Sequence, residues 1–164
     1  MTDTVASDYD ARERVPLAGY ATVAGVFCAS LTAFTLIVRR RGVTLPERVP
    51  PWDLLLLGAA TYKTSRLLTK DKITSFLRAP FTRREEDTTA GEVMDEPRGS
   101  GLRLAVGDLL ACPFCAGAWT AGGLMATYAV APRAARLVCA GFGAMTLADW
   151  LQYAWTWTQE KAEG

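Results

Sequence analysis

The chain has 164 residues, the size of one domain, and half of them are apolar while only 21% are charged. The formal net charge of +1 argues against a nucleic-acid-binding protein, because such domains usually carry a clear basic excess. The chain contains no histidine, which excludes serine–histidine and cysteine–histidine catalysis within it.

The first long apolar run predicts a transmembrane helix. Residues 1–16 are polar and predict a flexible tail. Residues 17–38 contain no charge, and as a helix they extend about 33 Å, enough to cross a bilayer. The arginine triplet at 39–41 follows as a stop-transfer flank. Small residues recur at every fourth position and predict one close-packing face, formed by Ala21, Gly25, Ala29 and Ala33.

The second apolar run, residues 52–69, allows two interpretations. Its apolar part is about 11 residues long and already includes Asp53, which favours a partly embedded helix over a spanning one. Lys63 and Arg66 then begin a basic stripe that continues to Lys70 on the same helical face. The alternative is a fourth crossing helix, because Lys and Arg side chains can snorkel to the membrane surface.

The positive-inside rule favours the partly embedded arrangement. In that arrangement the N-terminus is outside, and both basic segments, 39–51 and 70–108, are cytoplasmic. If the second helix crosses with the N-terminus inside, the basic residues of 39–51 and 131–136 lie on the outer side.

Residues 70–108 are predicted to be a cytoplasmic connector. Its first part mixes basic and apolar residues, as in segments that lie on an anionic leaflet, and the basic residues are Lys70, Lys72, Arg78, Arg83 and Arg84. The acidic stretch 85–96 is interpreted as a solvated loop that partly pairs with these arginines. A turn follows that permits an anion-binding concavity, built from Arg98, Gly99, Gly101 and Arg103.

Two further transmembrane helices are predicted at residues 110–130 and 134–157, joined by a tight turn at 131–133. An aromatic belt marks the far end of the last helix and comprises Trp150, Tyr153, Trp155 and Trp157. Asp149 lies within the apolar run, where an unpaired carboxylate is costly, so we expect it to pair with Lys63 or Arg66.

The motif Cys112-Pro113-Phe114-Cys115 is the sharpest local signal in the chain. Proline at a first helical position places Cys112 near the helix cap, where free amides and the helix dipole stabilise a thiolate. The spacing is that of redox dithiols and of half a zinc site. Two packed structural cysteines, a redox pair, and zinc or iron bound between two copies of the chain are therefore the three interpretations.

Five segments of the sequence resemble an uncharacterised family of small bacterial membrane proteins with a sporulation-associated member. They are Thr61-Tyr62-Lys63 with Ser65-Arg66, Thr69-Lys70-Asp71-Lys72, Arg78-Ala79-Pro80-Phe81, Glu96-Pro97-Arg98-Gly99, and the Cys112–Cys115 motif. The resemblance covers residues 54–153. It implies an integral membrane location and no established activity.

The sequence thus predicts an all-α membrane bundle with three full transmembrane helices and one partly embedded basic helix, or four crossing helices. It favours a non-enzymatic, multi-pass protein of the bacterial inner membrane that acts as a structural or accessory component. The expected partners are anionic lipid headgroups and either a protein or a second copy of the chain, with no nucleic acid and no cofactor. A dithiol or metal-binding protein is the first alternative, and a small pore or transporter is the second.

Overall fold

The computed structural model describes residues 15–88 and 91–163, and helices account for most of them. Most of the predicted tail and residues 89–90 of the acidic stretch lie outside this range. The elements in chain order are α1 (Leu17–Arg40), α2 (Pro51–Thr69), α3 (Ser75–Arg78), β1 (Thr82–Asp87), β2 (Val93–Pro97), α4 (Gly101–Ala111), α5 (Pro113–Val130) and α6 (Pro132–Glu163).

Proline begins three of the long helices, namely α2, α5 and α6. The fixed φ of proline suits a first helical turn, where its missing N–H has no intrahelical acceptor to lose. At Pro113 it also forces a break, because the residue before a proline is disfavoured in the helical region. Cys112 is accordingly extended, with φ −109° and ψ 110°, and α4 and α5 meet at an angle of 84°. The helix predicted at 110–130 therefore begins at Pro113.

Helices α2, α5 and α6 pack together around one apolar core. Its buried residues are Leu57, Ala60, Tyr128, Ala135 and Cys139. Asp53 at the start of α2 contacts Tyr128 near the end of α5, so these two helices are antiparallel. Asp53 also contacts Arg136 near the start of α6, and Lys63 contacts Asp149 further along, so α2 and α6 run in the same direction.

Helix α1 lies beside α4 and the first half of α5. Gly19 sits so close to α4 that an added Cβ would lie 2.8 Å from the Gly101 carbonyl oxygen. The rings of Phe27 and Trp119 meet edge to face with centroids 5.1 Å apart. Phe27 contacts Trp119, and Leu31, one turn further along α1, lies beside Gly122, one turn further along α5. Helix α1 therefore runs parallel to α5.

The small-residue face predicted on α1 does not pack against the other residues that the structure describes. Its members Ala21, Gly25, Ala29 and Ala33 are exposed, and a Cβ added to Gly25 would meet nothing within 4 Å. The close approach uses Gly19 instead. Periodicity placed the four residues on one face correctly but carried no information about which face the neighbouring helices cover.

The connector is folded, which corrects both the solvated-loop interpretation and the all-α class. Strands β1 and β2 form an antiparallel two-stranded sheet with Thr82 opposite Pro97, and the register shifts between Arg84 and Glu86. Helix α4 packs so closely on this sheet that a Cβ on Gly107 would lie 3.1 Å from Pro97 Cβ on β2 and 2.7 Å from the carbonyl oxygen of Phe81, the residue before β1. The fold of the described residues is therefore mostly helical with one small sheet.

Arg78 lies at the centre of this folded connector and is fully buried. Its Nε donates to Asp95 Oδ2 at 2.6 Å, and its Nη1 donates to the carbonyl oxygens of Leu68 and Asp71 at 3.2 and 3.0 Å. Further hydrogen bonds go to the hydroxyl oxygens of Thr74 and Ser75. The lipid-headgroup role predicted for Arg78 is wrong, because its guanidinium does not reach the surface.

Only part of the predicted membrane architecture follows from helix length and composition. Helix α1 is long and apolar enough to cross a bilayer, and only 6% of its most apolar window is buried. If α4 and α5 count as one broken span, the described residues contain two such elements. The three full spans predicted from the sequence are not supported by this criterion.

We expect Arg78→Lys to destabilise the connector by about 2–3 kcal/mol, because a lysine ammonium cannot reproduce the planar fork of donors and leaves buried acceptors unsatisfied. Unfolding of the purified protein by guanidinium chloride measures the change. Arg83→Lys is the matched control, since Arg83 is exposed and its substitution should change the free energy of unfolding little. Equal stability of the two variants would contradict the structural role of Arg78.

Candidate functional site

The second half of α2 turns two basic side chains toward one side of the bundle. Lys63 and Arg66 are three residues apart and therefore share a helical face. Helix α6 brings Asp149 to this face because it runs parallel to α2. The short bridge that pairs Asp71 with Glu92 brings two more carboxylates to the same end of the bundle.

Each of the two cations forms an ion pair. Lys63 Nζ lies 2.6 Å from Asp149 Oδ2, and 14% of the Lys63 side chain and 37% of the Asp149 side chain are exposed. Of the two partners considered for Asp149, the structure selects Lys63. Arg66 binds Glu92 through two hydrogen bonds, from Nε at 3.0 Å and from Nη2 at 2.5 Å.

These groups surround a cavity of about 360 Å³ between α2, the connector and α6. Aromatic rings form part of its wall, and Arg66 lies 5.8 Å from the centroid of the Tyr62 ring. The lining residues are Tyr62, Lys63, Arg66, Asp71, Glu92, Asp149, Trp150, Gln152, Tyr153 and Thr156. We call this space the α2–α6 cavity.

Two acidic members of the α2–α6 cavity were not identified from the sequence. Asp71 follows α2 directly, and Glu92 belongs to the acidic stretch that was interpreted as a solvated loop. The spacing of the acids in that stretch gave no sign that it folds back onto α2. Only the pairing of Asp71 with Glu92 across the connector brings both carboxylates to the cavity.

A second polar cluster closes the opposite end of the bundle. Arg136 Nη2 lies 2.7 Å from Asp53 Oδ2, and the Tyr128 hydroxyl donates to the same oxygen at 2.5 Å. Asp53 and Tyr128 are buried and the carboxylate is fully paired. This cluster satisfies its own members and has a structural role in the packing of α2, α5 and α6.

The two arginines predicted for anion binding, Arg98 and Arg103, donate hydrogen bonds to backbone carbonyl oxygens of the connector. Arg98 Nη2 donates to the Ala79 carbonyl oxygen at 2.7 Å, and Arg103 donates to the Pro80 carbonyl oxygen at 3.0 and 2.6 Å. Gly99 and Gly101 adopt positive φ and make the turn between these arginines. Arg98, Gly99, Gly101 and Arg103 therefore form a turn in which both guanidinium groups are hydrogen-bonded to backbone carbonyl oxygens.

The other basic residues of the connector lie at or near its surface. Lys72, Arg83 and Arg84 are exposed, and Arg84 Nη2 donates to Ser75 Oγ at 2.9 Å. Lys70 is half-buried, and its Nζ lies 3.7 Å from Met94 Sδ.

The two cysteines of the motif have different environments. Cys112 caps α5, and its Sγ accepts the Cys115 backbone N–H at 3.3 Å, while Cys115 is exposed. Partial burial raises the pKa of the Cys112 thiol, but hydrogen bonds from the Cys115 side chain and from the Cys115 and Phe114 amides outweigh it, so the pKa lies below its ordinary value.

The described residues contain no group of three or more His, Cys, Asp or Glu that could hold a metal ion. Zinc or iron shared between two copies stays a prediction.

Comparison with known proteins identifies the family. The family model described as "Protein of unknown function (DUF1360)" matches residues 56–155, and the chain belongs to this family. It is 34% identical over 110 residues to the protein named "Sporulation protein YjcA" of Bacillus subtilis (strain 168), covering 60% of this chain and 93% of that protein. No solved structure matches. The resemblance to an uncharacterised family with a sporulation-associated member is confirmed.

The lowered pKa of Cys112 predicts alkylation by iodoacetamide at a lower pH than an ordinary thiol requires, because the thiolate persists to lower pH. The measurement uses Cys28→Ala with Cys139→Ala, which keeps the Cys115 side chain as a hydrogen-bond donor, and peptide mass spectrometry follows alkylation of Cys112 separately from that of Cys115. Thr44→Cys in a chain without native cysteines supplies an exposed reference. If the alkylation rates of Cys112 and of the reference thiol rise over the same pH range, the prediction is wrong.

Proposed function

We propose that this protein is a multi-pass protein of the bacterial inner membrane that acts as an accessory component and binds partner proteins at the membrane surface. The observation that carries the membrane assignment is the exposure of large apolar side chains along the helices. Leu137 is 77% exposed and Leu147 is 62% exposed on α6, and Leu54 and Leu55 are similarly exposed on α2. Exposed apolar surface of this extent suits lipid contact better than water.

The composition of the helices supports more than one crossing. Helix α5 contains no charged residue over its 18 residues. The charged residues within the bundle are paired, Asp53 with Arg136 and Lys63 with Asp149, which lowers the cost of placing them beside lipid. Trp150, Tyr153, Trp155 and Trp157 are exposed near the end of α6, as expected for an aromatic belt at the membrane interface.

The helix directions favour four transmembrane helices over the three full transmembrane helices that the sequence analysis preferred. Because α1 and α5 are parallel, the end of α1 lies at the α5–α6 turn, and α2 starts there as well. A bilayer crossed by α5 is then crossed by α2 in the opposite direction. Segment 41–50 and the connector fall on opposite sides of the membrane, which conflicts with placing both in the cytoplasm.

The connector end carries the larger number of Lys and Arg residues, which favours the cytoplasm for that end. At the opposite end, Arg136 is neutralised by Asp53. The four-helix arrangement therefore reduces the conflict with the positive-inside rule without removing it, because residues 39–41 remain on the outer side.

This topology predicts that Thr44→Cys and Glu96→Cys, each in a chain without native cysteines, react with a membrane-impermeant maleimide from opposite sides. Both positions are exposed, so accessibility is not limited by the fold. Labelling of intact cells and of inverted vesicles gives the side of each residue. Labelling of both residues from one side would rule out four crossings.

The connector offers a surface for an accessory function. Ile73 is 78% exposed and Phe76 is 72% exposed. The same connector also carries the exposed basic residues Lys72, Arg83 and Arg84. A surface of this composition suits an anionic leaflet and, beside it, a partner protein. The buried Arg78 keeps the unit folded, so the surface is presented in one conformation.

We expect the double substitution Ile73→Ser, Phe76→Ser to abolish the recovery of cross-linked partner proteins from the native membrane while leaving the chain folded and inserted. The chain should stay folded because both side chains are exposed and contribute little to the core, and partners should be lost because these side chains form the apolar part of the proposed surface. Leu45→Ser is the control, since Leu45 is also exposed but lies in the segment between α1 and α2. Partners that are retained by the double variant, or lost equally with Leu45→Ser, would argue against this surface.

A dithiol function is the second candidate, favoured by the position of Cys112 at the cap of α5. The Cys112 thiolate would attack a disulfide of a partner and release one partner thiolate, and Cys115 would then attack the Cys112 sulfur of the mixed disulfide and release the second partner thiolate. The partner disulfide is reduced to two thiols while Cys112 and Cys115 are oxidised to a disulfide, so the electrons balance. This function requires both cysteines.

A further inference from the structure

The proposed accessory function does not use the α2–α6 cavity, which combines charged side chains, aromatic rings and open space. Its volume of about 360 Å³ lies within the range of small-ligand sites. It opens beside the exposed aromatic residues near the end of α6, at the depth expected for lipid headgroups if α6 crosses the membrane.

The carboxylates of the cavity outnumber its cations. Lys63 is paired with Asp149, and Arg66 with Glu92, so these four groups neutralise each other. Asp71 forms no ion pair with a Lys or Arg of the residues that the structure describes, and its Oδ1 accepts the Ile73 backbone N–H at 2.9 Å. One negative charge is therefore left over on the cavity wall.

The aromatic lining favours the same kind of ligand. Tyr62, Trp150 and Tyr153 contribute rings to the wall, and the face of an aromatic ring attracts a cation. Arg66 already lies over the Tyr62 ring, whereas Trp150 and Tyr153 are 67% and 59% exposed. An incoming cation can use these two rings without displacing a protein group.

We propose that the α2–α6 cavity binds a primary ammonium group, with Asp71 as the counter-charge and Trp150 and Tyr153 as the aromatic wall. An ethanolamine phospholipid of the surrounding leaflet and a free amine share this chemistry. The cavity thus recognises the ammonium, and the experiment identifies its source.

The test uses the full-length protein in nanodiscs of phosphatidylglycerol alone or with added phosphatidylethanolamine. Native mass spectrometry counts the lipids that are retained. We expect selective retention of phosphatidylethanolamine by the wild-type protein. In a second arm, ethanolamine is titrated into the phosphatidylglycerol nanodiscs, and a rise in thermal stability that saturates identifies a free amine as a sufficient ligand.

Two variants locate the site. Asp71→Asn removes the negative charge but keeps an oxygen for the Ile73 amide, and we expect it to weaken ammonium binding about tenfold. Tyr153→Leu removes an exposed ring and should weaken binding about fivefold. Glu47→Gln is the matched control, because it removes an exposed carboxylate outside the cavity and should leave binding unchanged.

Each outcome decides the proposal. Loss of binding in Asp71→Asn and Tyr153→Leu, with native thermal stability in the absence of ligand, supports it in either arm. Saturation with ethanolamine assigns a free amine, and retention of phosphatidylethanolamine without that effect assigns the lipid. The proposal is overturned if wild type shows no preference for the ammonium compounds, or if either variant binds them as wild type does.

Discussion

Ion pairs near both ends of α2 fix its position in the bundle, and the remaining contacts depend on that register. Asp53 is held by Arg136 and Tyr128, and Lys63 is held by Asp149. Between them lie small and apolar side chains such as Ala60, which form no ion pairs. A slip of α2 by one helical turn, about 5.4 Å, would separate both pairs and leave charges beside apolar surface. Apolar burial therefore holds the helices together, whereas the charges select one alignment.

The same helix supports the folded connector. The last carbonyl groups of α2 have no intrahelical donors, and side chains of the connector supply them. Thr74 Oγ1 donates to the Leu67 carbonyl oxygen, and Arg78 Nη1 donates to that of Leu68. Arg78 also binds Asp95 on β2, so one guanidinium joins the end of α2 to the sheet. The α2–α6 cavity lies where this junction meets α6, which explains why its wall includes residues of all three parts.

The sequence predicted the long helices because their signals are local: uncharged runs, a proline at the start and a basic flank. It also predicted a partner for Asp149, since an unpaired carboxylate in an apolar run is costly. The sheet was missed because β1 carries charge on nearly every residue and shows no apolar alternation. Its formation depends on long-range contacts of Arg78 and Asp95. The break before Pro113 had a local signal, but the direction of the small-residue face on α1 did not, because periodicity does not identify which elements pack against a face.

The region that matches the family model does not include α1. The matched region, residues 56–155, contains most of α2, the whole connector, α4, α5 and most of α6. All residues that line the α2–α6 cavity lie in the described part of α2, the connector or α6, and none comes from α1. Helix α1 contacts α4 and α5 through Gly19, Tyr20 and Phe27 and leaves its small-residue face exposed. A function common to the family must then depend on the elements from α2 onward, and α1 adds a helix that is long and apolar enough to cross a membrane and whose small-residue face no other described helix covers.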